Sequence, residues 1–163
     1  EYLRDTKGVR NVLYSFGPDN NYDTQPKDLS CYPGDGYIDV LGIDNYWDLR
    51  SGAGQAGATL ANTKMKVVSD LAKTRVKIAA MTETGYQVTP TTAPVTGWFS
   101  NYLYSALTDN AVEVAFVMFW NNGGTNYYTP PPSATNVTDF IDFTNKPKAL
   151  LQNEIPKMYV MPN

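Results

Sequence analysis

The sequence contains no histidine. A Ser-His-Asp triad, a Cys-His dyad and a histidine-ligated metal therefore cannot be assembled from this chain alone. A single cysteine, Cys31, excludes an internal disulfide; with no histidine to activate it, it reads as a small packed residue and not a nucleophile. Positive charge is scarce: 13 Lys and Arg against 16 Asp and Glu give a net charge of −3, with no basic run. That balance argues against nucleic acid or an anionic membrane as a partner. Long apolar runs are missing too. None approaches the roughly 20 residues that cross a bilayer, so membrane insertion is not expected. No signal peptide is visible. The opening "EYLRDTKGVR" has no methionine and reads as the end of a helix already under way, which points to a missing N-terminal portion.

What is present suits one domain with a core: 163 residues, 42% of them hydrophobic. Aromatic residues make up 13%, including twelve Tyr and three Trp, a rich supply of flat surfaces on which sugars or bases could stack.

Four stretches read as strands: "NVLYSF" (11–16), "YIDVLGID" (37–44), "KIAAMTE" (77–83) and "VEVAFVMFW" (112–120). Three are mostly continuous apolar runs, as parallel strands covered on both faces should be; Asp39 interrupts the second. Between them, "TLANTKMKVVSDLAKT" (59–74) and "GWFSNYLYSAL" (97–107) space their apolar residues as helices do. The C-terminal "TDFIDFTNKPKALLQNEIPKMY" predicts two short helices divided near Pro147, and "PPP" at 130–132 an extended loop before them. Alternating strands and helices imply an α/β fold with a parallel sheet. Each strand-helix unit takes about 40 residues, and a free four-stranded parallel sheet would need its edges covered. Half of an eight-stranded (β/α)8 TIM barrel fits better, the other half coming from another chain or a missing N-terminal portion.

"GAGQAG" (52–57) satisfies G-x-G-x-x-G between a strand and a helix. A dinucleotide site would turn directly off the strand, whereas Trp47 to Ser51 intervene, and Glu83 stands beyond the roughly 20 residues at which the fingerprint places its acid. A Gly/Ala surface loop is the expectation, and no cofactor is expected. "NVT" (136–138) is a formal glycosylation acceptor of a kind common by chance.

Ligands of parallel α/β folds bind beyond the carboxyl ends of the strands. Those ends read Pro18-Asp19, then Asp44 with Tyr46 and Trp47, then Glu83, then Trp120 with Asn121. Singly, an Asp at a strand end is more often a helix cap, and a Trp is more often core. Together, carboxylates among aromatic rings are what glycoside cleavage needs: an acid to attack or stabilise an oxocarbenium-like centre, and rings to stack on sugar faces. Nothing there resembles a phosphate site or a metal shell.

The series "NVLYSFGPD", "YPGDGYIDVLGIDNYW", "KIAAMTETG", "VAFVMFWNN" and "DFIDFTNKPKALLQNEIPKMY" resembles the C-terminal half of glycoside hydrolase family 26, whose best-known members are endo-β-1,4-mannanases. The resemblance implies that this chain supplies strands five to eight of the barrel. It places Glu83 at the nucleophile position and Tyr46 as the tyrosine that hydrogen-bonds and orients that nucleophile. Asp44 falls at an active-site aspartate and Trp120 at the tryptophan that stacks under the sugar; Trp47 and Asn121 join them as substrate-binding candidates. The family's acid/base glutamate, with a neighbouring histidine, lies on strand four, before this chain begins. The implied partners are β-mannan or a related polysaccharide and the N-terminal half of the same barrel, in an extracellular or periplasmic location. Mixed-linkage β-glucan and β-1,3-xylan are alternative substrates, and a non-catalytic sugar-binding or structural relic is the alternative class.

Overall fold

The computed structural model describes residues 2–21 and 24–155. Its frame is a four-stranded, all-parallel sheet in the order β1-β2-β3-β4: Ser15–Phe16 (β1), Val40–Asp44 (β2), Ile78–Thr84 (β3) and Phe116–Phe119 (β4). Among the described residues the α-helices are Gln25–Asp28 (α1), Gly54–Arg75 (α2), Tyr104–Thr108 (α3), which extends a π-helical turn over Trp98–Leu103, and Val137–Thr144 (α4).

Alternation on the strands sends Leu41 and Ile43 of β2, and Ala79 and Met81 of β3, to one face. There they share a buried cluster with Ala58, Ala61, Met65, Val68 and Leu71 of α2. Those α2 positions recur at spacings of three and four, so a single stripe of the helix covers the sheet. Burying a side chain such as Met65 or Ile43 contributes roughly 1.5–3 kcal/mol. On β4 the same alternation turns Phe119 into a cluster of rings with Phe99, Phe140 and Phe143. Its other face leaves Phe116, Met118 and, just past the strand, Trp120 exposed.

The helices are tied by polar side chains. Buried Asn62 of α2 donates from Nδ2 to the carbonyls of Ala106 at 3.1 Å and Asp109 at 2.9 Å, satisfying acceptors left open at the end of α3. Asp139 of α4 accepts from the N–H groups of Phe99 at 2.9 Å and Ser100 at 3.1 Å, capping the start of the π-helical turn.

Several elements differ from the sequence expectation. The first strand shrinks to two residues. Asp39 lies before β2 and serves as a clasp, accepting from the Tyr14 N–H at 2.9 Å while its own N–H donates to the Tyr14 carbonyl at 2.8 Å. The fourth strand begins at Phe116, not at residue 112. "GAGQAG" is not a loop: from Gly54 it forms the first turn of α2. Gly57 is the reason a small residue stands there, because a Cβ would collide with the carbonyl oxygen of Asp48. After Pro147 the described residues form only a 3-10 turn, Gln152–Glu154, in place of the second C-terminal helix; residues 156–163 lie outside the described residues. Cys31 is exposed, not packed. Asn136 of "NVT" accepts from the Tyr127 hydroxyl at 3.0 Å beside the start of α4. No helix among the described residues is long and apolar enough to cross a membrane.

Candidate active site

The tips of β2 and β3 are offset by one residue. Pairing runs in register from Val40↔Ile78 to Ile43↔Met81 and then jumps to Asp44↔Glu83, leaving Thr82 as the extra residue of a bulge. Two residues of β3 thereby oppose one of β2, which lets Thr82 and Glu83 both serve the neighbourhood of Asp44. The Thr82 hydroxyl donates to Asp44 Oδ1 at 2.8 Å. Its side chain occupies space that only glycine leaves open, since a Cβ at Gly17 or Gly42 would collide with it. The Tyr46 hydroxyl donates to Glu83 Oε2 at 3.1 Å.

Tyr46 is aimed by its neighbours. The Asn45 N–H donates to the Glu83 carbonyl at 2.8 Å, and the Thr84 hydroxyl donates to the Asn45 carbonyl at 2.7 Å, so the turn after β2 is bonded on both sides to the strand that carries Glu83. The Asn45 side chain, fully buried, donates from Nδ2 to Asp48 Oδ2 at 2.9 Å and accepts from the Asp48 N–H at 3.2 Å. Lys64 of α2 completes the set with an ion pair to Asp48 Oδ2 at 2.7 Å, its side chain 9% exposed and that of Asp48 1%. The sequence reading missed Asn45, Asp48 and Lys64. One signal was present: Lys64 stands next to Met65 on the stripe between Ala61 and Val68, where a cation needs a buried partner.

Burial pushes the Asp44 carboxyl above the usual carboxylate range; the Thr82 hydrogen bond opposes that shift, and the nearby charges of Glu83 and Asp19 add to it. The Tyr46 hydroxyl is pushed up as well, by burial first and then by its bond to Glu83, so it stays protonated and donating at ordinary pH.

Around these groups lies a shallow cleft of ≈ 330 Å³, lined by Asp19, Asp44, Tyr46, Trp47, Tyr86 and Tyr128 among others. That is near the lower end of the roughly 300–1,000 Å³ common for ligand sites. A larger hollow of ≈ 560 Å³ has Asn21, Pro26, Lys27 and Ser30 in its lining, with no carboxylate among the described lining residues. The chemistry converges on the smaller one. Glu83 reaches it through Tyr46, not as a lining residue. Trp47 is 65% exposed and stacked under the Arg50 guanidinium, whose carbon lies 4.0 Å from the ring centroid. Trp120 and Asn121 are exposed at the end of β4 and do not line this cleft, although the Trp120 N–H donates to the Thr84 carbonyl at 3.1 Å. The structure thus brings Glu83, Tyr46, Asp44 and Trp47 together and leaves Trp120 and Asn121 exposed past the end of β4. Among the described residues no group of three or more Cys, Asp or Glu side chains could hold a metal ion.

Residues 1–118 match the sequence profile described as Glycosyl hydrolase family 26. The chain is 34% identical to a mannan endo-1,4-beta-mannosidase of Bifidobacterium adolescentis over 94% of its own length and 18% of that protein's. It superposes on GH26C from Muricauda sp. MAR_2010_75 with a TM-score of 0.94 and 46% identity, covering 99% of this chain and 43% of that one. With an endo-beta-1,4-mannanase of Cellulomonas fimi the TM-score is 0.84 at 29% identity, over 95% of this chain and 35% of that one. The chain therefore spans less than half the length of these relatives. On the profile match and on the near-complete coverage of this chain, it belongs to glycosyl hydrolase family 26.

Proposed function

We infer that the chain carries the nucleophile side of a retaining glycoside hydrolase active site that cleaves β-1,4-mannosidic bonds in mannan-type polysaccharides. The observation that carries this reading is the hydrogen bond from Tyr46 to Glu83, beside Asp44, at the carboxyl ends of two parallel strands. Glu83 attacks the anomeric carbon to form a glycosyl-enzyme intermediate. A second carboxyl protonates the leaving oxygen and then activates water, so the anomeric configuration is retained. In that geometry the two carboxyl groups stand about 5–5.5 Å apart. Tyr46 fixes the orientation of Glu83, and Asp44 contacts a sugar hydroxyl or a neighbouring side chain. Trp47 and Tyr86 offer rings to the sugar chain, and Trp120 and Asn121 meet it from the open side.

The acid/base comes from the N-terminal half of the same barrel. Three features support this: the chain covers under half of its relatives, Asp44 is already bonded to Thr82, and β4 leaves an apolar face open. A polymeric glycan as substrate places the enzyme outside the cytoplasm. The mannan assignment follows the activities printed for the Bifidobacterium and Cellulomonas relatives. A non-catalytic sugar-binding relic is the competing reading, favoured by the presence of only one half of the carboxylate pair.

The test is Glu83→Ala in the full-length protein. Loss of reducing-end release from mannan with an unchanged melting temperature is the expected result; wild-type release by the variant would sink the assignment. Oligosaccharide binding by the wild-type full-length protein without any turnover would favour the relic.

A further inference from the structure

Beyond residue 118, where the family match ends, the loop after β4 folds back over the strand tips. Val88 and Tyr127 exchange backbone hydrogen bonds at 2.9 and 3.0 Å. Asn122 closes the loop on itself: its Oδ1 accepts from the N–H groups of Tyr128 at 2.8 Å and Thr129 at 3.0 Å, and its Nδ2 donates to the Thr129 carbonyl at 2.7 Å. The backbone of Tyr128 is thereby clamped from both sides. Its ring lies against Gly85, two residues past Glu83, where a Cβ would collide with it. The same ring meets Tyr46 edge to face, centroids 6.3 Å apart at 74°, and lines the cleft. The hydroxyls of Tyr46 and Thr82 are committed to Glu83 and Asp44. The Tyr128 hydroxyl forms no hydrogen bond among the described residues. Among the described residues it is a donor and acceptor without a partner, on a ring packed against Tyr46, the hydrogen-bond partner of Glu83.

We propose that Tyr128 is a substrate-contacting residue of this site and that Asn122 is the residue that positions it. The ring forms a wall for the pyranose bound over Glu83 and Tyr46, and the phenol exchanges a hydrogen bond with a sugar hydroxyl. The substrate class is a neutral sugar. Asp19 and Asp44 line the cleft beside Glu83, and the cation there, Arg50, is already stacked on Trp47 and bonded to its carbonyl at 2.6 Å. Gly85 serves the same end, since a side chain there would displace the ring from Tyr46.

The inference rests on the glycosidase reading, so the experiment separates the two. In the full-length protein, Glu83→Gln removes turnover and permits binding to be measured by calorimetry with a β-1,4-linked manno-oligosaccharide. Adding Tyr128→Phe, which keeps the ring, weakens binding about fivefold, the worth of one neutral hydrogen bond; Tyr128→Ala weakens it about tenfold or more. Asn122→Ala alone gives an intermediate loss that disappears in the Tyr128→Ala background, because it acts through that ring. Asn122→Asp keeps the Oδ acceptor but turns a carboxylate oxygen toward the Thr129 carbonyl, so it restores only part of the affinity. In the otherwise wild-type enzyme, Tyr128→Phe raises KM more than it lowers kcat. Unchanged affinity in both Tyr128 variants, or an Asn122→Ala loss that persists without the Tyr128 ring, overturns this proposal while leaving Glu83 intact as nucleophile. Retained turnover in Glu83→Gln overturns Glu83 as the nucleophile instead.

Discussion

Asp44 sits where burial and two neighbouring carboxylates disfavour its charge, and the Thr82 hydrogen bond offsets only part of that cost. An unfolded aspartate titrates at about 3.9. The folded carboxyl titrates higher, so between the two values the folded protein holds a proton that the unfolded chain has released. Stability attributable to Asp44 therefore falls as pH rises through that window, and the deficit persists at neutral pH. Asp44→Asn removes the titration and can still accept from Thr82. The variant should melt above the wild type at neutral pH, with the difference vanishing below about pH 3.5; melting temperatures over a pH series read this directly, and a pH-independent difference would contradict it. Asp44, Tyr46 and Glu83 were legible in the sequence because each falls at or just past the end of an apolar run, where parallel folds place their chemistry. Tyr128 was not. It lies in a Gly- and Pro-rich loop whose return path depends on the side chain of Asn122 and on pairing with Val88, neither of which leaves a local pattern.

The turn after β2 and helix α2 act as one unit. Lys64 reaches from the helix to Asp48, Asp48 holds Asn45, and Asn45 is bonded to the strand that carries Glu83. Lys64→Met would leave a buried carboxylate with no cation. Chemical denaturation should show a loss of about 3 kcal/mol. The loosened turn should also lower kcat, since Tyr46 sits between Asn45 and Asp48. A loss within ±0.5 kcal/mol, the range of ordinary surface changes, would mean that the pair holds nothing in place. The existence and order of the strands and of α2 were readable from periodicity alone. Their limits were not, because tertiary contacts set them. Asp39 clasps Tyr14 through its side chain and shortens β1, and the approach of Gly57 to the Asp48 carbonyl turns an expected loop into the first helical turn. Sequence spacing carries no record of either contact.

Taken whole, strand β4 is covered on one side and open on the other. The helices bury Leu41, Ile43, Met81 and Phe99, whereas Phe116 at 42% and Met118 at 53% exposure, with Trp120, share the uncovered side of β4. Under the function proposed above, an N-terminal half meets the chain along this side and brings the acid/base with it. On that reading, residues 1–163 expressed alone release no reducing ends from mannan, whereas the full-length protein does; activity of the 163-residue chain by itself would refute the division of labour. The most direct measurement concerns Glu83. Incubating the full-length enzyme with a 2-deoxy-2-fluoro mannoside that carries a good leaving group slows breakdown of the glycosyl-enzyme, so that it can be digested and read by peptide mass spectrometry. The predicted result is one glycosyl unit on the peptide bearing Glu83, absent in Glu83→Ala. A label on another carboxylate, or turnover with inversion and no label at all, would contradict it.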